Sequence, residues 1–177
     1  MPRYDLDEVE QAFRRYWKTT VDEDWDAWAD MFTEDADYLD CYLGSLKGRE
    51  AIREYIKPLM ASCPEVYSTY EWHLCSPDGR CVVHMQNRRD NPEPGAPPID
   101  CAGITVLQYS GDGKFSNEED YWDVKAGIAT TEQYVAACTA HDPDYPKKRT
   151  RRDWGPGPDW TQGAPSYAES PRGNRSH

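Results

Sequence analysis

Between residues 6 and 20 apolar side chains recur at spacings of three and four, which puts Leu6, Val9, Phe13 and Tyr16 or Trp17 along one stripe of a helix. A shorter stripe of Trp25, Trp28, Ala29 and Phe32 predicts a second helix from Asp24 to about Phe32, capped by Asp22 or Asp24. Over Asp35–Cys41 the period falls to two, with Ala36, Tyr38 and Asp40 on one side of a short strand. Gly48 then opens a third helix that carries Ile52, Tyr55, Ile56, Leu59 and Met60 in register and is bent or closed near Pro58.

After Pro64 the alternation becomes continuous. Val66–Cys75 and Cys81–Arg89 flank a Pro77–Arg80 turn, and Ile99–Tyr109 and Lys114–Val124 flank Ser110–Gly113, so two hairpins are expected. Asn91–Pro98 is a proline-rich loop, and Thr130–Ala140 is a last short helix. Helices gathered ahead of a strand meander give an α+β fold, with a curved antiparallel sheet closed on one face by the helices. Such a cone encloses a pocket, so the informative residues are the polar ones that point inward.

Length and composition change this picture at one end. The 177 residues make one ordinary domain, but only 38% of them are hydrophobic. The dilution lies after residue 141, where six prolines and four glycines occur without a Val, Ile, Leu, Met or Phe. A domain over 1–141 and a basic tail over 142–177 follow, the tail being either disordered or docked on a partner through Trp154, Trp160 and Tyr167. The net charge of −12 argues against nucleic acid as a partner. No apolar run reaches a membrane span and no secretion signal is legible, so a cytoplasmic protein is expected. The six cysteines include no C-x-x-C pair and read as small core residues rather than a disulfide framework. Metal-ligand spacings such as H-x-H or H-E-x-x-H are missing, as is a phosphate-binding glycine loop, so neither a metal nor another cofactor is expected.

Three segments carry a family resemblance: Phe32-Thr-Glu-Asp-Ala-Asp-Tyr-Leu-Asp40, Gly48-Arg-Glu-Ala-Ile52 and Gly113-Lys-Phe-Ser-Asn-Glu-Glu-Asp-Tyr-Trp-Asp123. With the element order they resemble the nuclear transport factor 2-like superfamily, and within it the ketosteroid-isomerase-like and SnoaL-like polyketide cyclase groups. The resemblance implies a cystatin-like α+β barrel with a cone-shaped sheet. Its members include isomerases, cyclases, dehydratases and noncatalytic binding domains, so fold alone assigns no reaction. Alignment with ketosteroid isomerase implies an oxyanion-donating role for Tyr16 and a base role for Asp40, with Thr105 standing where that enzyme has a second donor. The SnoaL-like cyclases imply instead an acid/base aspartate at Asp120.

Strand alternation puts Glu118 and Trp122 on the face of Asp120. If Asp40 and Asp120 both face inward they repel, so one would keep its proton and an acid and a base would coexist at neutral pH. His84, centred in an apolar strand, is a further catalytic candidate because imidazole titrates near neutrality. Its alternative is a packed or interface histidine. Tyr55, Thr105, Leu107, Glu118 and Trp122 are the expected substrate-binding residues, and the substrate is a small hydrophobic carbonyl, polyketide-, steroid- or terpene-like. The rival readings are a noncatalytic ligand-binding or dimerisation domain, or a structural subunit like that of ring-hydroxylating dioxygenases, and a homodimer through the sheet face is expected.

Overall fold

The structure is a computed structural model that describes residues 4–148. The basic run beyond Lys148 and the three tail aromatics lie outside the described residues. Helix α1 spans Leu6–Val21, and Asp5 caps it by accepting the Asp7 amide on its carboxylate. Asp7 and Glu8 in the first turn and Lys18 in the last complement the helix dipole. Its buried stripe is Val9, Ala12, Phe13, Tyr16 and Trp17, while Leu6 stands exposed at the start.

Helix α2 covers Trp25–Asp30, capped by Asp24, and ends before Phe32. Strand β1 begins at Phe32 and runs to Asp40, three residues earlier than its polar start suggested. The helical spacing of Phe32 misleads because it is buried as the first residue of the strand. A short strand β2, Gly44–Lys47, had no sequence signal because its residues are largely exposed. Helix α3, Arg49–Ser62, continues through Pro58 instead of stopping there.

Gly48, the N-cap of α3, has φ +92°, and a β-carbon there would lie 3.3 Å from the Glu34 carbonyl oxygen. The left-handed conformation and the close strand both select glycine. Gly48→Ala is expected to lower stability by about 1–2 kcal/mol, read as a shift of the urea midpoint at constant m-value.

Strands β3 (Tyr67–Cys75), β4 (Arg80–Arg89), β5 (Ile99–Gly111) and β6 (Lys114–Trp122) form the two hairpins. All six strands make one sheet in the order β2-β1-β6-β5-β4-β3. Every neighbouring pair is antiparallel except β1 and β6, which are parallel and align Tyr38 with Glu118 and Asp40 with Asp120. This one parallel seam corrects the all-antiparallel expectation. Helix α4 runs from Val124 to His141, beginning six residues ahead of the expected start because Asp123 caps it on two amides. A turn of helix, α5, follows at Tyr145–Lys148.

The core lies between the concave face of the sheet and α1 to α3. Trp28 is its hinge, with ring centroids 4.9 Å from Phe32, 5.8 Å from Tyr16 and 6.3 Å from Tyr38. Edge and tilted ring pairs of this kind add about 0.5–1.5 kcal/mol each beyond burial. Cys75 and Cys81 face each other across β3 and β4 and form a disulfide, with Cα atoms 4.1 Å apart. This corrects the reading of the cysteines as unpaired core residues. The hairpin register brings the two sulfurs together, which spacing in sequence does not reveal. Among the described residues no helix is long and apolar enough to cross a membrane.

Candidate functional site

Alternation along β6 turns Glu118, Asp120 and Trp122 inward, opposite Leu107, Thr105 and Gly103 of β5. Gly103 has no side chain to fill the space facing Trp122. There the sheet and helices leave a cavity of about 170 Å³, lined by Tyr16, Trp17, Trp25, Trp28, Tyr38, Asp40, Thr105, Glu118, Asp120 and Trp122 among others.

Three hydroxyls are committed to the two carboxyls of β6. Tyr16 Oη, from α1, donates to Glu118 Oε1 at 2.8 Å. Tyr38 Oη, from β1, donates to Asp120 Oδ2 at 2.6 Å, and the Thr105 hydroxyl donates to Asp120 Oδ1. The other Glu118 oxygen, Oε2, is buried and receives no hydroxyl or N–H, the second partner of Glu118 being the Asp120 carboxyl, and the Trp17 indole N–H is buried without a partner.

Burial dominates the electrostatics. Glu118 is 2% exposed, and desolvation, reinforced by the charge of Asp120, drives its proton affinity well above the usual carboxylate range. The Tyr16 hydrogen bond acts in the opposite sense. Desolvation also raises Asp120, to about 6, although the bonds from Thr105 and Tyr38 stabilise its anion, and the charge of Asp40 adds to the rise. Tyr16 and Tyr38 are both held protonated, first by desolvation and then by the charges of Glu118 and Asp120. Of the two, Glu118 is therefore the carboxyl that keeps its proton to higher pH and Asp120 the one that gives it up first. That is an acid and a base on one strand, two residues apart.

The residues expected from sequence divide into groups. Asp120, Tyr16, Thr105, Glu118 and Trp122 meet at the cavity. Asp40 also lines it and is 8% exposed, but its Oδ1 accepts the amides of Tyr42 and Leu43 at 2.8 Å each, which fixes the turn leaving β1. Tyr16 does not hold a free hydroxyl for a substrate oxyanion, because Glu118 takes it. His84 is a correction: it pairs with Ile104 and Trp72 on the outer face of the sheet, stacked on the Trp72 ring at 5.5 Å. One residue of register separates it from the inward Val83, and that parity removes it from the carboxyls.

Leu107 is wholly buried in the core and Tyr55 packs on Tyr38 with ring centroids 5.6 Å apart, so neither is among the residues lining the cavity. Tyr38 was missed as a site residue, although the same alternation that turns Asp40 inward turns Tyr38 inward with it. Asn87 and Ser68, bonded to each other at 3.1 Å, were missed as well, since nothing local marks their face of the hairpin.

One described cluster, Glu10, His73 and Cys75, has metal-ligand atoms within 4.8 Å of one another. Its atoms are already engaged, however. His73 Nε2 lies 2.8 Å from Glu10, its Nδ1 lies 2.8 Å from the Tyr70 hydroxyl, and Cys75 is in the disulfide.

The arrangement has relatives. A protein of Jannaschia sp. CCS1 assigned as a SnoaL-like polyketide cyclase is 17% identical, over 73% of this chain and 96% of that one, with a TM-score of 0.57. SalBIII, an epoxide hydrolase/cyclase-like enzyme of pyran-ring formation in salinomycin, is 21% identical over 69% of this chain and 95% of its own, again with a TM-score of 0.57. A protein of ketosteroid isomerase-like fold from Catenulispora acidiphila DSM 44928, solved with trimethylamine, is 22% identical over 72% and 95%, with a TM-score of 0.55. At such identities the likeness is one of fold. No protein of curated function matches the chain in sequence. The SnoaL-like domain model, however, matches residues 13–117, well over half of the chain. The protein thus belongs to the SnoaL-like domain family, within the nuclear transport factor 2-like superfamily.

Proposed function

We propose that the protein is an acid/base enzyme of the isomerase, cyclase or dehydratase type, acting on a small, largely apolar substrate held in the cone. The observation that carries this reading is the Glu118–Asp120 pair, two buried carboxyls whose surroundings set them to opposite protonation states. Asp120 is the base that takes a proton from carbon or from an attacking hydroxyl. Glu118 is the acid that gives one to a leaving or developing oxygen, through the carboxyl oxygen that Tyr16 does not occupy. Asp40 contributes a fixed negative charge that keeps Asp120 basic. Cyclase and epoxide-opening chemistry among proteins of this fold is consistent with the same pair of roles.

Tyr16 is a positioning residue in this scheme, because its hydroxyl reaches the reaction only through Glu118. The test is a pH–rate profile with Tyr16→Phe, on the first compound turned over from a panel of small hydroxyketones, epoxides and unsaturated carbonyls. The wild-type rate is expected to rise with pH through about 6 as Asp120 ionises. In Tyr16→Phe the alkaline limb moves up, since Glu118 has lost the bond that lowered its proton affinity, and turnover falls about tenfold. A direct donor to substrate would give a larger loss with the limb unmoved, and a wild-type profile flat from pH 5 to 7.5 would remove the reading.

We also propose that the outer face of the sheet, where Ile104 and Tyr121 are exposed beside His84, joins two copies into a homodimer. Ile104→Glu is expected to shift sedimentation to the monomer.

A further inference from the structure

The cavity is unusual in what it lacks. Among the described residues its lining holds the carboxyls Asp40, Glu118 and Asp120 and no Lys, Arg or His. Three hydroxyls already donate to the β6 carboxyls: Tyr16 to Glu118, Tyr38 and Thr105 to Asp120. No ion pair joins Asp40, Glu118 or Asp120 to a basic side chain among the described residues. Asp40 and Asp120 are bonded by hydroxyls and backbone amides, but among the described residues no basic side chain stands beside either as a counter-ion. Buried charges ordinarily have a partner of opposite sign.

The remaining walls are aromatic. Trp25, Trp28, Tyr38 and Trp122 border the same space, and their ring faces attract cations, most strongly where water is displaced. The second observation is Glu118 Oε2, an oxygen of a side chain 98% buried that lines the cavity and receives no hydroxyl or N–H, the neighbouring Asp120 carboxyl being the other partner of Glu118. It marks a place where a ligand atom completes the site. A neutral carbonyl can accept from Glu118 but leaves Asp40 and Asp120 without a counter-ion. A cation brings the missing charge.

We infer that the substrate of this cavity carries a protonated or quaternary amine, held by the Asp40 and Asp120 charges within the tryptophan and tyrosine walls while its reacting oxygen meets Glu118. The inference rests on the cavity being the substrate site proposed above, and it narrows the substrate class from apolar carbonyls to small amino alcohols and aminoketones. The ionisable groups facing the amine are Tyr16 from α1, Tyr38 and Asp40 from β1, and Glu118, Asp120 and Tyr121 from β6, with Tyr55 of α3 close enough to feel the three carboxyls. The lining contributed by α2 and α3 is Trp25, Trp28, Ile56, Leu59 and Met60, none of which titrates. A bound cation favours the ionised form of Asp120, so affinity must rise with pH through the range in which Asp120 loses its proton.

The experiment is titration of the full chain, by calorimetry and tryptophan fluorescence, with choline and with its uncharged isostere 3,3-dimethylbutan-1-ol. Choline is expected to bind at least tenfold more tightly at pH 7.5, to weaken by up to tenfold per pH unit below about 6, and to lose its advantage in Asp120→Asn. Equal affinity for the two probes, choline binding that is independent of pH, or no choline binding at millimolar concentration overturns the inference. If a neutral carbonyl or epoxide is turned over in an Asp120-dependent way while choline does not bind, the acid/base reading stands and the amine falls. Turnover undiminished in Asp120→Asn removes the acid/base reading itself.

Discussion

Asp120→Asn is expected to lower turnover by about three orders of magnitude with the fold intact, the middle of the range for removal of a general base. Asparagine is nearly isosteric, and its carbonyl oxygen can still accept the hydroxyl of Tyr38 or Thr105, so the geometry of β6 against β1 and β5 is kept. What disappears is the group that binds a proton near pH 6. The sign follows from the role. A base works ionised, so the wild-type rate falls tenfold for each pH unit below about 6 and levels above it, and the residual rate of the variant lacks that limb. The measurement is kcat/KM from pH 4.5 to 8 for both proteins, with circular dichroism to confirm folding. Full activity in the variant, or an unchanged limb, contradicts the assignment.

Glu118→Gln is expected to remove the acid, at a cost of about 10²- to 10⁴-fold in turnover, and to make the protein more stable as pH rises. Both effects come from the same burial. In the folded chain Glu118 holds its proton well above the usual range, whereas in the unfolded chain it titrates near 4.5. Above that value the unfolded state gains ionisation that the folded state resists, and wild-type stability falls by at most about 1.4 kcal/mol per pH unit up to the raised value. Asp120 adds the same trend between 3.8 and about 6. Glutamine has no such slope and can still accept the Tyr16 hydroxyl. Urea midpoints at pH 5 and pH 8 provide the check: the gap between variant and wild type widens with pH, and an equal gap at both would place the Glu118 proton in the ordinary carboxylate range. A site that is more stable without its acid is one in which catalytic chemistry has been installed against folding.

Much of the fold was legible because its signals are local. The stripe from Val9 to Trp17, the cap and stripe of α2, and the two hairpins over Pro77–Arg80 and Ser110–Gly113 follow from periods of 3.6 and 2 and from turn chemistry. The failures also have causes. Phe32 satisfied a helical spacing and a strand start equally well, β2 had no apolar face to show, and the Cys75–Cys81 disulfide depended on hairpin register.

The candidate site was legible by half. The sequence by itself determined that Glu118, Asp120 and Trp122 share one face of a strand, and that Tyr16 lies on the buried face of the first helix, since parity and helical period are properties of the local backbone. Only the tertiary structure decided what those faces meet. The parallel seam between β1 and β6 joins Tyr38 to Asp120 across 82 positions, α1 delivers Tyr16 to Glu118 across 102, and His84 falls on the opposite side of the sheet. The protonation states belong to that second level as well. A carboxyl's affinity for its proton depends on the water removed from around it and on the charges brought near it, and both are set by how distant segments pack.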